Sequence, residues 1–164
     1  MAVKVAINGF GRIGRLVLRG IIESGRTDIE VVGINDLGPI ETNAHLLRYD
    51  SVHGRFPSTV TVNGDTMDAG RGPIKVTAIR DPKELPWKEP GVDIALECTG
   101  IFADRAKAAL HLEAGSKRVL VSAPAPHPAL THVYAVLPDD LTTDHHHGPH
   151  PSPTTPCLPP LTML

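Results

Sequence analysis

The sequence predicts an α/β domain built on a doubly wound parallel sheet. Three observations carry this expectation. Short, nearly continuous apolar runs recur between residues 3 and 121, stretches with helical apolar spacing separate them, and a glycine triplet joins the first run to the first such stretch. Residues 3–7 are the first run, closed by Asn8-Gly9, and read as a buried strand. Residues 12–22 place Ile13, Leu16, Val17, Ile21 and Ile22 near helical spacing, with Ser24-Gly25 as a stop. Residues 29–34 form a second apolar run, closed by Asn35-Asp36. Strand, helix and strand in this order make a βαβ unit, whose strands are parallel and whose crossover is right-handed.

Residues 41–49 read as a short helix with Ala44 and Leu47 inward and Leu46 beside them. Residues 60–62 and 74–79 alternate loosely and read as strands, with Asn63-Gly64-Asp65 between them as a hairpin-type signal. Residues 92–96 read as another buried strand. Residues 103–112 read as a helix with Ala106, Ala109 and Leu110 inward and Gly115 as its C-terminal signal. Residues 118–121 are a further buried strand, and 133–136 a candidate last one.

Composition bounds the function. The chain has 164 residues, 41% apolar and 21% charged, with a formal net charge of −2. One domain with a real core fits that length. The charge gives no electrostatic case for nucleic acid or an acidic membrane surface as partner. No apolar run is long enough to span a bilayer, and the N-terminus runs straight into a strand pattern without the layout of a signal peptide. Two cysteines, Cys98 and Cys157, make no disulfide framework, so a reduced, cytoplasmic protein is expected.

The averages hide a break after Ala123. All 16 Lys and Arg precede it, whereas residues 124–164 hold 10 of the 16 prolines, 6 of the 9 histidines and 1 of the 15 glycines. Proline breaks helix interiors and supplies no backbone donor. The expected organisation is a dinucleotide-binding domain over 1–148, clear to about 125, and a Pro-rich, irregular tail over 149–164. His145-His146-His147 and His150 offer imidazoles, but a Pro-rich stretch supplies neither fixed geometry nor supporting partners, so no metal site is expected.

Gly9-Phe10-Gly11-Arg12-Ile13-Gly14 is G-x-G-x-x-G, placed between a strand and a helix inside a βαβ unit, as a dinucleotide site requires. The first glycine allows the tight turn, the second lets the backbone approach a pyrophosphate, and the third lets helix and strand pack closely. Free N–H groups at the helix start then hold the anion. Asp36 ends the second strand, where a carboxylate can accept from a ribose 2′-hydroxyl and repel a 2′-phosphate, which favours NAD over NADP. The plainer reading of Asp36 is a turn residue after Asn35. Thr99, Gly100 and Ser122 follow later strands and are candidates for the cofactor wall, although turn chemistry alone explains them equally well. Cys98 reads as a small buried residue rather than a nucleophile.

These residues carry a specific resemblance to glyceraldehyde-3-phosphate dehydrogenases of the bacterial type. It lies in Val3-Lys4-Val5-Ala6-Ile7-Asn8-Gly9-Phe10-Gly11-Arg12-Ile13-Gly14-Arg15, in Ile34-Asn35-Asp36, and in the stretch from His45 to Gly54. It continues in Leu96-Glu97-Cys98-Thr99-Gly100-Ile101-Phe102 and Val119-Leu120-Val121-Ser122-Ala123-Pro124. The resemblance implies a Rossmann-type fold and an NAD-dependent, phosphorylating oxidoreductase of glycolysis that converts glyceraldehyde 3-phosphate to 1,3-bisphosphoglycerate. It implies that Arg12 and Ile13 meet the cofactor phosphates, Asp36 the adenosine ribose, Arg80 the adenine and Ser122 the nicotinamide side. Asn35, Phe10, Thr99, Gly100 and Phe102 complete the candidate NAD-binding set. Family members are homotetramers with a second, catalytic domain.

The chemistry of that family needs a thiolate to attack the aldehyde and a histidine to activate it. The matching segment here is Ser152-Pro153-Thr154-Thr155-Pro156-Cys157, with Pro153 at the nucleophile position, flanked by Ser152 and Thr154. Proline is no nucleophile. Cys157 falls one helical turn away, about 6 Å of rise, too far for catalytic placement. The catalytic domain is expected to be almost entirely missing and the recorded chain inactive. Pro stands where Ala is usual, His where Asn is usual and Leu where Val is usual, which suggests a degraded or error-rich sequence end. The alternatives are a non-catalytic NAD-binding remnant and an erythrose-4-phosphate dehydrogenase.

Overall fold

A computed structural model of the chain describes residues 2–123 and 147–149. Among the described residues eight strands form one sheet, in the order β10 (His147–Pro149), β9 (Arg118–Val121), β8 (Ile94–Glu97), β1 (Val3–Asn8), β2 (Ile29–Asn35), β7 (Pro73–Thr77), β6 (Thr66–Asp68) and β5 (Thr61–Asn63). At its centre β1 (Val3–Asn8) pairs in parallel with β2 (Ile29–Asn35) on one side and β8 (Ile94–Glu97) on the other. Helix α1 (Arg12–Glu23) makes the crossover from β1 to β2. The chain then fills one half of the sheet before returning to β8 and β9 (Arg118–Val121) on the opposite side of β1. The order of strands therefore reverses between β1 and β8, the switch point where doubly wound sheets open a crevice.

Successive residues of β1 face opposite ways, and both sides are packed. Ile7 joins Phe10, Leu18, Ile34, Leu47, Phe56, Met67 and Ile74 in one core. Ala6 joins Leu85, Trp87, Val92, Ala95 and Ala114 in the other. The indole of Trp87 lies flush on Gly33, where a Cβ would come 3.0 Å from Cζ3. At β9 the expected cover on both faces gives way to alternation, with Val119 and Val121 buried and Leu120 44% exposed.

The longer elements follow the sequence pattern, and the shorter ones depart from it. Helix α2 spans Ile40–Arg48 and buries Ala44 and Leu47, but Leu46 points outward. Tyr49, expected at the end of that helix, instead opens a two-residue pairing of β3 (Tyr49–Asp50) with β4 (Gly54–Arg55). The turn at Gly64, with φ of 60°, joins β5 (Thr61–Asn63) to an unforeseen strand, β6 (Thr66–Asp68). Strand β6 then pairs antiparallel with β7 (Pro73–Thr77), and β7 is parallel to β2.

The helix expected over 103–112 is two single turns, α3 (Arg105–Ala108) and α4 (Leu110–Glu113), meeting at Ala109. Asp104 sets the start by accepting from the Lys107 N–H at 2.9 Å. This shifts the buried face: Ala108 and His111 are inside, whereas Ala106 is exposed.

Strand β10 (His147–Pro149) adds to the edge of the sheet beside β9, in a stretch that the sequence marks as irregular. Among the described residues β10 has a neighbour on one side only, and such an edge position tolerates a proline. The candidate strand at 133–136, the segment Ser152–Cys157, and His145, His146 and His150 lie outside the described residues. Among the described residues no helix is long and apolar enough to cross a membrane.

Candidate functional site

The strand-to-helix turn after β1 is shaped by its glycines. Gly9 has φ of 90°, and a Cβ there would sit 2.7 Å from the Thr99 nitrogen. A Cβ on Gly14 would sit 2.2 Å from the Gly9 carbonyl oxygen, so helix and strand touch through that position. Around Gly11 a Cβ would meet nothing within 4 Å, and the space above it is open. Gly11 is also the N-cap of α1, and no side chain caps the helix there. The first N–H groups of a helix lack intrahelical partners, and a helix start carries partial positive charge.

That helix start borders a cleft of about 470 Å³ at the carboxyl ends of β1, β2 and β8. Of the expected residues, Gly9, Gly11, Asn35, Asp36, Arg80, Thr99 and Phe102 line it. Asn8, Leu37, Ile79, Cys98 and Ile101 line it as well, without having been expected there. A larger groove, about 540 Å³, opens at the amino-terminal ends of β2 and β7, but aliphatic side chains such as Leu18, Ile22, Ile29 and Ile74 dominate its lining. The cleft at the switch point combines converging polar groups with a free helix start.

Asp36 is tied down on both oxygens. Its Oδ2 accepts from the Phe10 N–H at 2.7 Å, and its Oδ1 accepts from Gly38 N–H at 2.8 Å and Asn43 Nδ2 at 3.2 Å. It is thus a turn residue and a cleft residue at once. A carboxylate has about four acceptor sites, so Oδ2 keeps room for another donor. The Phe10 side chain is fully buried in the core, so only its backbone faces the loop.

Arg12 and Ile13 stand exposed at the helix start. The Arg12 guanidinium reaches Asp50 at 3.3 Å. Asp50 also accepts the N–H groups of His53 and Val52, and with the His53 ring and Arg12 these hold its carboxyl well below the ordinary carboxylate range. Ser122 is absent from the cleft wall. Its hydroxyl donates to the Glu97 carbonyl at 3.0 Å and so ties the end of β9 to that of β8. Gly100, with φ of 74°, turns the chain between Thr99 and Ile101. Burial pushes the Cys98 thiol up to about 11, with neighbouring Glu97 adding to the effect and the nearby Ser122 hydroxyl opposing it. At neutral pH it is a thiol, and it packs against the core.

Beneath the cleft lies a polar layer that no single stretch of sequence announces. Glu97 is fully buried and accepts from Asn8 Nδ2 at 2.6 Å, His111 Nε2 at 2.9 Å and Thr99 N–H at 2.7 Å. The Thr99 hydroxyl donates to it too. Burial alone would raise this carboxyl, but the donors from His111, Thr99 and Asn8 outweigh it, and the group lies below its ordinary value. Asn8, Asn35 and Glu97 are in register on three adjacent strands. The signal that could have found them is a polar residue closing each of three apolar runs. His111 and Trp87 left no such signal.

Residues 3–105 match the family model described as the NAD binding domain of glyceraldehyde 3-phosphate dehydrogenase. The chain is 71% identical over 164 residues to glyceraldehyde-3-phosphate dehydrogenase of Xanthobacter flavus and 65% identical over 164 residues to that of Cereibacter sphaeroides. It is 52% identical over 165 residues to that of Geobacillus stearothermophilus. Each alignment takes in 100% of this chain and 49% of the relative. The chain thus spans about half the length of the curated relatives it matches.

Proposed function

The chain belongs to the glyceraldehyde-3-phosphate dehydrogenase family and carries its NAD-binding domain, and from this premise we propose that NAD occupies the cleft at the β1–β8 switch point. The supporting observation is the uncapped start of α1 at Gly11, opening on a cleft that also presents the Asp36 carboxylate. The pyrophosphate lies over the backbone of residues 9–14, with Arg12 and Ile13 beside it. The adenosine ribose hydroxyls donate to Asp36, and the adenine rests by Arg80. Asn35, Thr99, Gly100 and Phe102 border the remainder, and Ser122 braces it from behind.

The Arg12–Asp50 pair keeps the guanidinium near the phosphates without burying it. When bound, NAD supplies the hydride acceptor. The chain's own residues bind it, orient it and shield one side of it from water.

The wider reaction is part of the same proposal. The relatives' name implies a small-molecule substrate, glyceraldehyde 3-phosphate, which with phosphate and NAD gives 1,3-bisphosphoglycerate and NADH. A homotetramer in the cytoplasm goes with it. Pro153 at the nucleophile position supports a chain that binds NAD but turns over no substrate.

Two measurements test this reading. Asp36→Ala is expected to weaken NAD binding by about 1.5–3 kcal/mol, the worth of charged hydrogen bonds, with little change in circular dichroism. Calorimetric titration of both proteins checks it, and equal affinities would remove the ribose contact. The purified 164-residue chain is expected to form no NADH from glyceraldehyde 3-phosphate and phosphate. Sustained NADH production would overturn the non-catalytic reading.

A further inference from the structure

The buried polar layer is two lines of hydrogen bonds, each with a determined direction, that meet at Glu97. At one end the Trp87 indole, which can only donate, gives its N–H to His111 Nδ1 at 3.1 Å. The ring proton therefore sits on Nε2 and is donated to Glu97 Oε2 at 2.9 Å. At the other end the Ile79 backbone N–H donates to Asn35 Oδ1 at 2.8 Å. That turns the Asn35 amide nitrogen toward Asn8 Oδ1, at 2.8 Å, and the Asn8 amide nitrogen toward Glu97 Oε2, at 2.6 Å. Both lines converge on one carboxylate oxygen. The other oxygen, Oε1, accepts from the backbone and the hydroxyl of Thr99, whose hydroxyl accepts from the Ile101 N–H at 3.1 Å.

The two walls of the cleft, Ile79–Arg80 and Thr99–Phe102, are thus joined through the interior. We propose that His111, buried on α4 and not among the residues that line the cleft, is a positioning residue for the bound dinucleotide. Acting through Glu97, it holds the Thr99–Phe102 wall at a set distance from the Ile79–Arg80 wall. The inference rests on the placement of NAD in this cleft. Without His111, Trp87 loses its acceptor and Glu97 one of the two donors on Oε2. The carboxylate then turns more freely, and both bonds to Thr99 loosen. A wall that must be ordered during binding subtracts from affinity.

The experiment compares the 164-residue chain with His111→Leu and His111→Gln, reading NAD affinity and, in the free proteins, amide hydrogen exchange at Thr99 and Ile101. Glutamine offers its carbonyl to Trp87 and its amide N–H to Glu97, so it keeps the direction of the line. Leucine keeps bulk and keeps neither bond. His111→Leu is expected to weaken NAD binding about tenfold and to speed exchange at both amides, with His111→Gln within about twofold of wild type in affinity. Unchanged affinity and exchange in a folded His111→Leu protein overturns the proposal. Equal loss in the two variants also overturns it, because shape rather than hydrogen bonding would then be at work.

Should His111→Leu not fold, Trp87→Phe removes the indole donor, with some loss of buried bulk, while leaving His111 in place, and is expected to weaken binding about threefold. Equal affinity of that variant and wild type then overturns the proposal. A wild-type chain that ignores NAD would remove the placement in the cleft, while the exchange comparison would still decide the coupling.

Discussion

Gly9→Ala is expected to cost the domain about 3–5 kcal/mol, combining left-handed backbone strain with overpacking. The residue sits at φ of 90°, and its added methyl would lie 2.7 Å from the Thr99 nitrogen and 2.8 Å from the Cys98 carbonyl carbon. Both are backbone atoms at the end of β8, so no side chain can rotate out of the way. Relief requires β1 and β8 to separate, and Asn8 and Glu97, which share a 2.6 Å hydrogen bond, lie at that junction. Urea unfolding of the two proteins measures the cost. Gly11→Ala is the control, because its methyl meets nothing within 4 Å. It is expected to stay within about 1 kcal/mol of wild type while losing NAD affinity. A cost under about 1 kcal/mol for Gly9→Ala would mean that the turn does not pack as described.

Glu97→Ala is expected to destabilise by about 3–5 kcal/mol, because it removes the one acceptor for several buried donors. Asn8 Nδ2, His111 Nε2 and the Thr99 N–H and hydroxyl all point at that carboxylate. The effect carries a pH signature. Burial pushes the Glu97 carboxyl up, but its donors win, and the folded value lies below the ordinary 4.5. A depressed carboxyl contributes stability that is fully present above its unfolded value and is lost as pH falls through the folded one. The gap between wild type and Glu97→Ala should therefore be constant near neutrality and shrink below pH 4.5. Denaturant midpoints across that range check it. A gap that holds steady or widens in acid would show that Glu97 is not held as the carboxylate.

The elements that the sequence announced are those with enough residues to express a period. Strands β1, β2 and β9 and helix α1 have apolar runs or helical spacing bounded by turn residues, and they form where the pattern places them. Strand β6 and the β3–β4 pair do not, since two or three residues cannot show an alternation. Ala106 and Leu46 look inward by composition and lie outward because the helices begin at positions set by capping and by the preceding chain. A one-residue change in a helix start turns every side chain by about 100°.

For the candidate site the same distinction holds. Gly9, Gly11, Gly14 and Asp36 could be read from the chain because strand, turn and helix are contiguous, and the backbone demands of a tight, close-packed turn are local. Asp36 closes the next strand of the same βαβ unit, so its place needs only the crossover rule. The reading of Asp36 as both turn residue and cleft residue, and of Ser122 as a brace rather than a wall, needed the fold.

Sequence alone determined the βαβ unit, the glycine turn, the carboxylate that follows it and the family to which these belong. Tertiary structure decided that Trp87 and His111 on one side and Asn35 and Asn8 on the other form two directed lines that meet at Glu97 beneath the cleft. Asn8 and Glu97 are 89 positions apart in the chain and 2.6 Å apart across two neighbouring strands. The reason is one of range. Apolar periodicity and glycine conformation are properties of neighbouring residues, whereas a hydrogen bond acts within about 3 Å and depends on which strands the topology brings side by side.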